Sequence, residues 1–371
     1  MTESNDGKEI KKLFALAEKY QASDLHLKAG SPPLFRVDGK IRQLETEPLS
    51  PEQVKSMLLS LLSPAMADRF KDANDLDFAY SIAGVGRFRI NAFVQRGSVS
   101  IAARRVSSRI PDFSELNLES GAMTRIAHLS HGLVIIAGTT GCGKSTTLAS
   151  IIEHINVNRR CHIVTVEDPI EYLYADKKAF INQREVGIDV SSFNEALKHI
   201  MRQDPDVILI GEMRDSETFE AALTAAETGH LVFGTIHSSS VAQTVSRILD
   251  MFPAENHRQI LMGLRFNLRS IICQRLLQSS RKNTRIVPAQ EILFVNATAA
   301  RLLGDGEYDK LAQLIRGGTQ EGMQDFNQAL VKLVNNGLVG KETALAASDN
   351  PEHLELTLKG ISLGGNHTII S

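Results

Sequence analysis

Tryptophan is absent from this 371-residue sequence, and aromatic residues of all kinds make up only 5% of it. That leaves little material for the stacking platforms on which single-stranded nucleic acids are held. Cysteine is as scarce: Cys142, Cys161 and Cys273 are scattered, with no Cys-x-x-Cys pair. Neither a disulfide framework nor a four-thiolate zinc site can be assembled from them within one chain. An excess of charge is missing too, since 41 Lys and Arg against 43 Asp and Glu leave a net charge of −2. No global field therefore draws the chain to nucleic acid or to anionic lipid. No apolar run reaches the roughly 18 residues of a membrane span, and residues 1–12 are too polar for a signal peptide. A cytosolic protein with no nucleic-acid partner and no direct membrane insertion is expected.

What is present is ordinary globular material, 43% hydrophobic and 23% charged, which excludes disorder and fibrous structure. The length predicts two to three domains. Ile10, Leu13, Phe14 and Ala17 recur at helical spacing, so the chain opens on an amphipathic helix. The alternation in Ser23-Asp24-Leu25-His26-Leu27 reads as a strand, and Leu34 to Leu44 as a hairpin turning at Asp38-Gly39. A helical stretch from Pro51 to about Asn74 leads to strands at Phe78 to Ile82, Arg87 to Phe93 and Ser98 to Val106, with Pro111 closing the region. From about Asn117 the pattern changes to continuous apolar runs: Gly132 to Ala137, His162 to Val166, Val207 to Ile210 and Leu231 to Ile236. Such runs suit parallel strands buried on both faces. Helices are predicted between them at Lys144 to Asn156, at Ser192 to Met201 behind a Ser192/Glu195 capping box, and at Ser216 to Thr228 before Gly229. Strands alternating with helices define an α/β sheet. The remainder, from about Leu261, reads as mostly helical, with one apolar run at Ile286 to Val295 that Pro288 confines to an edge strand.

The balanced total hides a local excess. Residues 81–110 carry Arg87, Arg89, Arg96, Arg104, Arg105 and Arg109 and no acid, whereas residues 68–77 carry four aspartates. A solvated strand face is the simplest account. Two features favour a phosphate or carboxylate contact instead: every basic residue there is the forked arginine, and Arg87 and Arg89 lie two apart and share a strand face.

The strongest chemical signal is Gly138-Thr139-Thr140-Gly141-Cys142-Gly143-Lys144-Ser145, which fits G-x-x-x-x-G-K-[ST] between an apolar strand and a helix. Glycines let backbone amides curl around phosphates, and the helix N-terminus favours an anion. Lys144 is placed to reach the terminal phosphates of ATP and Ser145 to ligate Mg²⁺, with Thr146 beside them on the first helical turn. The Cys142 side chain is not demanded by the phosphate. A second strand ends in Glu167-Asp168-Pro169-Ile170-Glu171 and a third in Gly211-Glu212, putting acids at the carboxyl edge where α/β sheets bind ligands. Glu171 and Glu212 are candidates for activating water and for holding the metal, and these residues alone do not divide the two roles. His230 and His237 bracket the fourth strand. His237 falls at the phosphate-loop end, where it can sense a terminal phosphate, and His230 suits a structural or intersubunit hydrogen bond.

These residues together resemble the secretion and pilus ATPase superfamily, and most closely the retraction ATPases of type IV pili, the PilT and PilU group. The similarity runs through Ser23-Asp24-Leu25-His26-Leu27, Arg36-Val37-Asp38-Gly39-Lys40, Gly86-Arg87-Phe88-Arg89-Ile90-Asn91-Ala92-Phe93 and the glycine-rich loop. It continues through Ile163 to Tyr172, Asn182-Gln183-Arg184-Glu185-Val186, Arg202 to Asp215, Thr228 to His237 and Gly322-Met323-Gln324-Asp325-Phe326. The resemblance implies a PAS-like α+β N-terminal domain (1–110), a RecA-like P-loop ATPase core (111–270) and a helical C-terminal region (271–371). It further implies a homo-hexamer in the cytoplasm, peripheral at the inner membrane through a pilus platform protein and in some systems a paralogous ATPase. By the same resemblance Glu171 is the water-activating glutamate, Glu212 lies near Mg²⁺, and Arg89 and Arg104, with Arg87 beside them, reach the nucleotide. Hydrolysis then swings the two domains about the Ser107 to Pro111 connection.

Two departures stand out. Thr139 and Cys142 replace the usual Pro and Ser of the loop, and the retraction signature Ala-Ile-Arg-Asn-Leu is altered to Ala299-Ala300-Arg301-Leu302-Leu303. An ATP-binding accessory subunit of a pilus motor, and a pilus-assembly or type II secretion ATPase, are the alternative readings. Against the second stand the length and the absence of a tetracysteine motif.

Overall fold

The computed structural model describes residues 5–37 and 39–360, and the chain divides into two compact units, residues 1–109 with 170–173 and residues 110–169 with 174–371. Asp38 of the expected hairpin turn lies outside the described residues; its neighbour Gly39 has φ of +77°.

The first unit is built on six strands: β1 (Asp24–Lys28), β2 (Leu34–Val37), β3 (Lys40–Gln43), β4 (Asp75–Ile82), β5 (Gly86–Gln95) and β6 (Ser98–Val106). They form one antiparallel sheet in the order β3-β2-β1-β6-β5-β4. Alternation decides its two faces. Phe88, Ile90 and Ala92 of β5 are buried together with Ile10 and Phe14 of the helix Asn5–Lys19 and Met57 and Leu58 of the helix Pro51–Leu61. Phe14 and Phe88 sit ring to ring with centroids 4.5 Å apart. Arg87 and Arg89 then point to the opposite face.

The expected helix from Pro51 to Asn74 is two helices, Pro51–Leu61 and Pro64–Ala73. Pro64 has no N–H to continue a helix but suits the first turn of a new one, and the Ser63 hydroxyl accepts from Met66 N at its start. Asn74 ends the pair in the left-handed region at φ of +56°.

The second unit holds β7 (Gly132–Ala137), β8 (His162–Glu167), β9 (Phe180–Glu185), β10 (Val207–Ile210), β11 (Leu231–Ile236), β12 (Leu268–Gln278) and β13 (Ile286–Phe294) in the order β13-β12-β7-β11-β10-β8-β9. All pairs are parallel except β12 with β13. Every residue of β7, β10 and β11 is buried, as apolar runs covered on both faces require. The helix Lys144–Asn158 follows β7, Phe193–Ile200 follows β9 and Ser216–Glu227 follows β10. Ser192 Oγ accepts from Glu195 N at 3.1 Å, but the Glu195 carboxylate turns forward to His199 at 3.0 Å, so only half of the expected capping box is made.

The tail differs from its helical expectation. β12 and β13 extend the parallel sheet, and helices follow at Ala297–Gly304, Leu311–Gly317, Phe326–Asn335, Lys341–Ala347 and Pro351–Leu358. In β12 the apolar residues Leu268, Ile271, Ile272 and Leu276 fall at helix-like spacing because polar residues share the buried positions. Ser270 donates to Leu293 O at 2.7 Å and is fully buried, and Gln274 is 3% exposed. β13 is the sheet edge predicted from Pro288. β9, at the opposite edge, is marked in the sequence only by the Asn182–Val186 motif. Leu302, at the altered position of the retraction signature, is buried in the helix Ala297–Gly304, where an apolar side chain is at home. Among the described residues no helix is long and apolar enough to cross a membrane.

Candidate active site

Because β7, β8, β10 and β11 run parallel, the segments that follow them leave one edge of the sheet. After β7 comes the glycine-rich loop. Gly138, Gly141 and Gly143 have φ of +153°, +78° and +89°, a region L side chains rarely occupy. A Cβ on Gly138 would fall 2.3 Å from Cys142 Sγ and 2.7 Å from the Gln274 carbonyl oxygen. Cys142 is buried against this spot, and burial pushes its thiol up from the usual range. Its side chain therefore packs beneath the loop. Thr139, Thr140, Gly141 and Ser145 are exposed, with Gly143, Lys144 and Thr146 half-buried. Lys144 Nζ donates to the carbonyls of Gly138 at 2.8 Å and Thr139 at 3.1 Å, so the cation folds over the mouth of the loop.

Beside it, the residues after β10 and β11 meet. The Glu212 carboxylate accepts from Arg214 at 2.7 Å and lies 3.1 Å from His237 Nε2. Burial raises its pKa, but the Arg214 hydrogen bond and the charges of Arg214, His237 and Lys144 outweigh this and hold it below the usual carboxylate range. Gly211 packs closely against β8: a Cβ there would sit 3.3 Å from Glu167 Cα and from the Val166 carbonyl, tighter than an ordinary contact. Thr235 Oγ1 donates to Gly211 O at 2.6 Å and ties β11 to the turn. Glu167, at the end of β8, is buried and accepts from Thr165 Oγ1 at 2.7 Å and Gln183 Nε2 at 3.2 Å. His230, at the far end of β11, bonds the Ala225 carbonyl at 2.9 Å, the structural one of the two roles expected of it.

Arg87, Arg89, Arg104 and Glu171 belong to the first unit. Arg89 on β5 is directly opposite Arg104 on β6, and Arg104 opposite Asp24 on β1. Arg104 Nε donates to Asp24 at 2.9 Å, and Arg36 approaches the same carboxylate at 3.6 Å. Burial raises the Asp24 pKa, but Ser23 and Arg104 together bring it below the ordinary value. Two arginines facing each other across a strand pair repel, and one acid shared by Arg36 and Arg104 offsets only part of that. Glu171 is exposed on the segment 170–173, whose Tyr172 bridges to Ser107.

Sequence reasoning gave Arg214, Thr147 and Gln274 no role. Arg214 lies inside the Arg202-to-Asp215 segment that carries the family resemblance, so its signal is in the sequence; Gln274 lies in the stretch that reads as mostly helical.

Behind His237, Val241 N donates to Glu291 Oε2 at 2.7 Å. Glu291 stands on β13, 7% exposed. Burial drives its pKa up to about 7 from 4.5, helped by Asp325 and Asp349 and opposed by the Val241 N–H and Arg275. A carboxyl raised on folding leaves stability intact below its unfolded value and removes it as the pH climbs through the folded one. The window is therefore pH 4.5 to about 7. Glu291→Gln keeps an acceptor for Val241 and is expected to gain about 3 kcal/mol over the wild type between about pH 5 and pH 8. Urea unfolding at both pH values checks this; an advantage that does not grow with pH contradicts it.

Fold and site together define an α/β protein with a glycine-rich loop of the phosphate-cradling kind, with acids and a histidine beside it. The chain belongs to the Type II/IV secretion system protein family, whose model matches residues 6–312. It is 41% identical over 352 residues to the type IV pilus ATPase PilU of Pseudomonas aeruginosa, covering 95% of this chain and 91% of that one. To the type IV pilus retraction ATPase PilT of the same organism it is 39% identical over 345 residues, covering 93% and 99%. Among solved structures, the pilus retraction motor PilT with bound ADP superposes with a TM-score of 0.84 at 42% identity, over 94% of this chain and 98% of that one. The Legionella pneumophila ATPase DotB superposes at 0.74 with 26% identity, over 92% and 96%.

Proposed function

We propose that this chain is an ATP-hydrolysing motor subunit that retracts a type IV pilus, working as a ring hexamer on the cytoplasmic side of the inner membrane through a platform protein. The observation that carries this reading is the loop 138–145, seated between β7 and its helix beside Glu212 and His237, in a chain 42% identical to an ADP-bound retraction motor over 94% of its length. The second unit is read as a RecA-like P-loop core. The first, a six-stranded antiparallel sheet joined by helices, is read as PAS-like. Residues 111–270 are read as the ATPase core and 271–371 as a C-terminal region that lends β13 and most of β12 to the same sheet.

The residues at the loop fit a nucleotide phosphate: glycines at three positive-φ positions let the backbone curl so that its amides can face an anion, and Lys144 supplies a cation at its rim. Mg²⁺ would be held from Ser145, with Glu212 nearby, and would neutralise the terminal phosphates. Glu212 is already engaged by Arg214 and His237 and held ionised, which suits electrostatic anchoring better than taking a proton. Glu171 is therefore the base, and His237 senses the terminal phosphate through its contact with Glu212. The Arg89–Arg104 pair, opposed across β5 and β6 and only partly neutralised, supplies charge to the nucleotide with Arg87 beside it, and the two domains move about residues 107–111 as hydrolysis proceeds.

The test is ATP hydrolysis by the purified chain across concentrations that span oligomer formation, followed by light scattering. Specific activity is expected to rise with oligomer content. A well-formed oligomer that binds ATP without turning it over would instead favour the accessory-subunit reading.

A further inference from the structure

Gln274 reaches the phosphate loop from beneath. Its Nε2 donates to the Cys142 carbonyl at 2.7 Å, and its Oε1 accepts from Thr147 Oγ1 at 2.9 Å and from Gln290 Nε2 at 3.0 Å. Its backbone carbonyl and its amide nitrogen stand 2.7 and 2.8 Å from where Cβ atoms on Gly138 and Gly143 would be. Gly138 thus lies against the β12 backbone at position 274, and Gly143 against the Gln274 side chain itself.

The contact with Cys142 has a stereochemical consequence. In a planar trans peptide the C=O and the following N–H point in opposite directions. Pinning the Cys142 carbonyl toward β12 therefore turns the Gly143 N–H away from the sheet, toward the side on which an anion is cradled.

The hydrogen bonds do not stop there. Gln290 Oε1 accepts from Glu119 N at 3.4 Å, and the Gln290 carbonyl accepts from Gln324 Nε2 at 3.0 Å. Gln324 Oε1 accepts from Lys332 Nζ at 2.7 Å, and Lys332 also reaches Glu119 at 2.9 Å. Gln274, Gln290 and Gln324 are 3%, 2% and 3% exposed, so each amide depends on its partners, and removing one strands the next. The ladder runs from the loop across β12 and β13 to the helix Phe326–Asn335.

We propose that Gln274 is a positioning residue for nucleotide binding: it sets the Cys142–Gly143 peptide, and Gln290 and Gln324 extend that control to the helix Phe326–Asn335. The inference rests on the reading of residues 138–145 as a nucleotide site. Fluorescent ADP binding and the KM and kcat for ATP, measured below the thermal transition of each chain, test it. Gln274→Met conserves volume while removing all three side-chain hydrogen bonds, and is expected to weaken ADP and raise KM about tenfold, with a smaller change in kcat. Gln290→Met leaves the Cys142 contact in place but removes the donor that orients Gln274, and is expected to weaken ADP about threefold. Combining Gln274→Met with Gln324→Met should add nothing to the first, since the ladder is already broken at the loop. Unchanged ADP affinity in a folded Gln274→Met chain overturns the proposal, whatever its melting temperature. If that chain does not fold, unchanged affinity in Gln290→Met overturns it. A wild type that binds no ADP fails the nucleotide reading itself and takes this inference with it, whereas a binding wild type beside an equally tight Gln274→Met fails the inference alone.

Discussion

Lys144→Ala is expected to abolish turnover, lowering kcat/KM for ATP by roughly 10³-fold or more, the scale on which removing a preorganised charge or donor from a transferring group is felt. The geometry says why no neighbour can substitute. Lys144 Nζ rests on the carbonyls of Gly138 and Thr139, so the only cation in the loop is held by the loop itself. Arg214, a cation on the turn after β10, is committed to Glu212. The fold should survive, because Lys144 is half-buried at the first position of its helix and the helix is anchored by Leu148, Ile151, Ile152 and Ile155. Circular dichroism and a near-normal melting temperature would separate lost chemistry from lost structure. The variant should also raise the pKa of Glu212, since the lysine's charge is one of those holding it down. Substantial ATPase activity in a folded Lys144→Ala chain would sink the site assignment.

The second large effect is expected from Glu171→Gln, which should keep ATP binding and lose hydrolysis by about 10²- to 10⁴-fold, the contribution typical of a positioned general base. The amide is isosteric and leaves the Ser107–Tyr172 bridge next to it undisturbed, so loss of turnover would not trace to that segment coming apart. A single-turnover measurement with labelled ATP, paired with an equilibrium binding titration, reads the two properties separately. Hydrolysis at the wild-type rate would return the base role to Glu212. That outcome would be hard to square with Glu212 as it stands, because a carboxylate bonded to Arg214, in contact with His237 and lowered in pKa is a weak proton acceptor.

The local signals were legible in proportion to how local their physics is. The loop 138–145 could be read from the chain because glycines at three fixed positions and a following lysine answer to steric and charge requirements that span eight residues. The same holds for the strands β7, β8, β10 and β11, whose unbroken apolar runs need both faces covered. β12 was not legible. Its Ser270 and Gln274 are polar residues in the core, acceptable only because Leu293 O, Cys142 O, Thr147 and Gln290 stand ready to bond them, and those partners are distant in sequence.

By itself, then, the sequence determined the element types of both sheets' central strands, the position of the glycine-rich loop and the acids that follow it. Periodicity and turn chemistry act between near neighbours and leave their mark in order. Only the tertiary structure decided that Glu212 meets His237 and Arg214, that Arg104 shares Asp24 with Arg36, and that Gln274 braces the loop from a strand more than a hundred residues away. These are pairings of polar groups across strands, and a polar residue carries no record of which distant partner makes its burial tolerable.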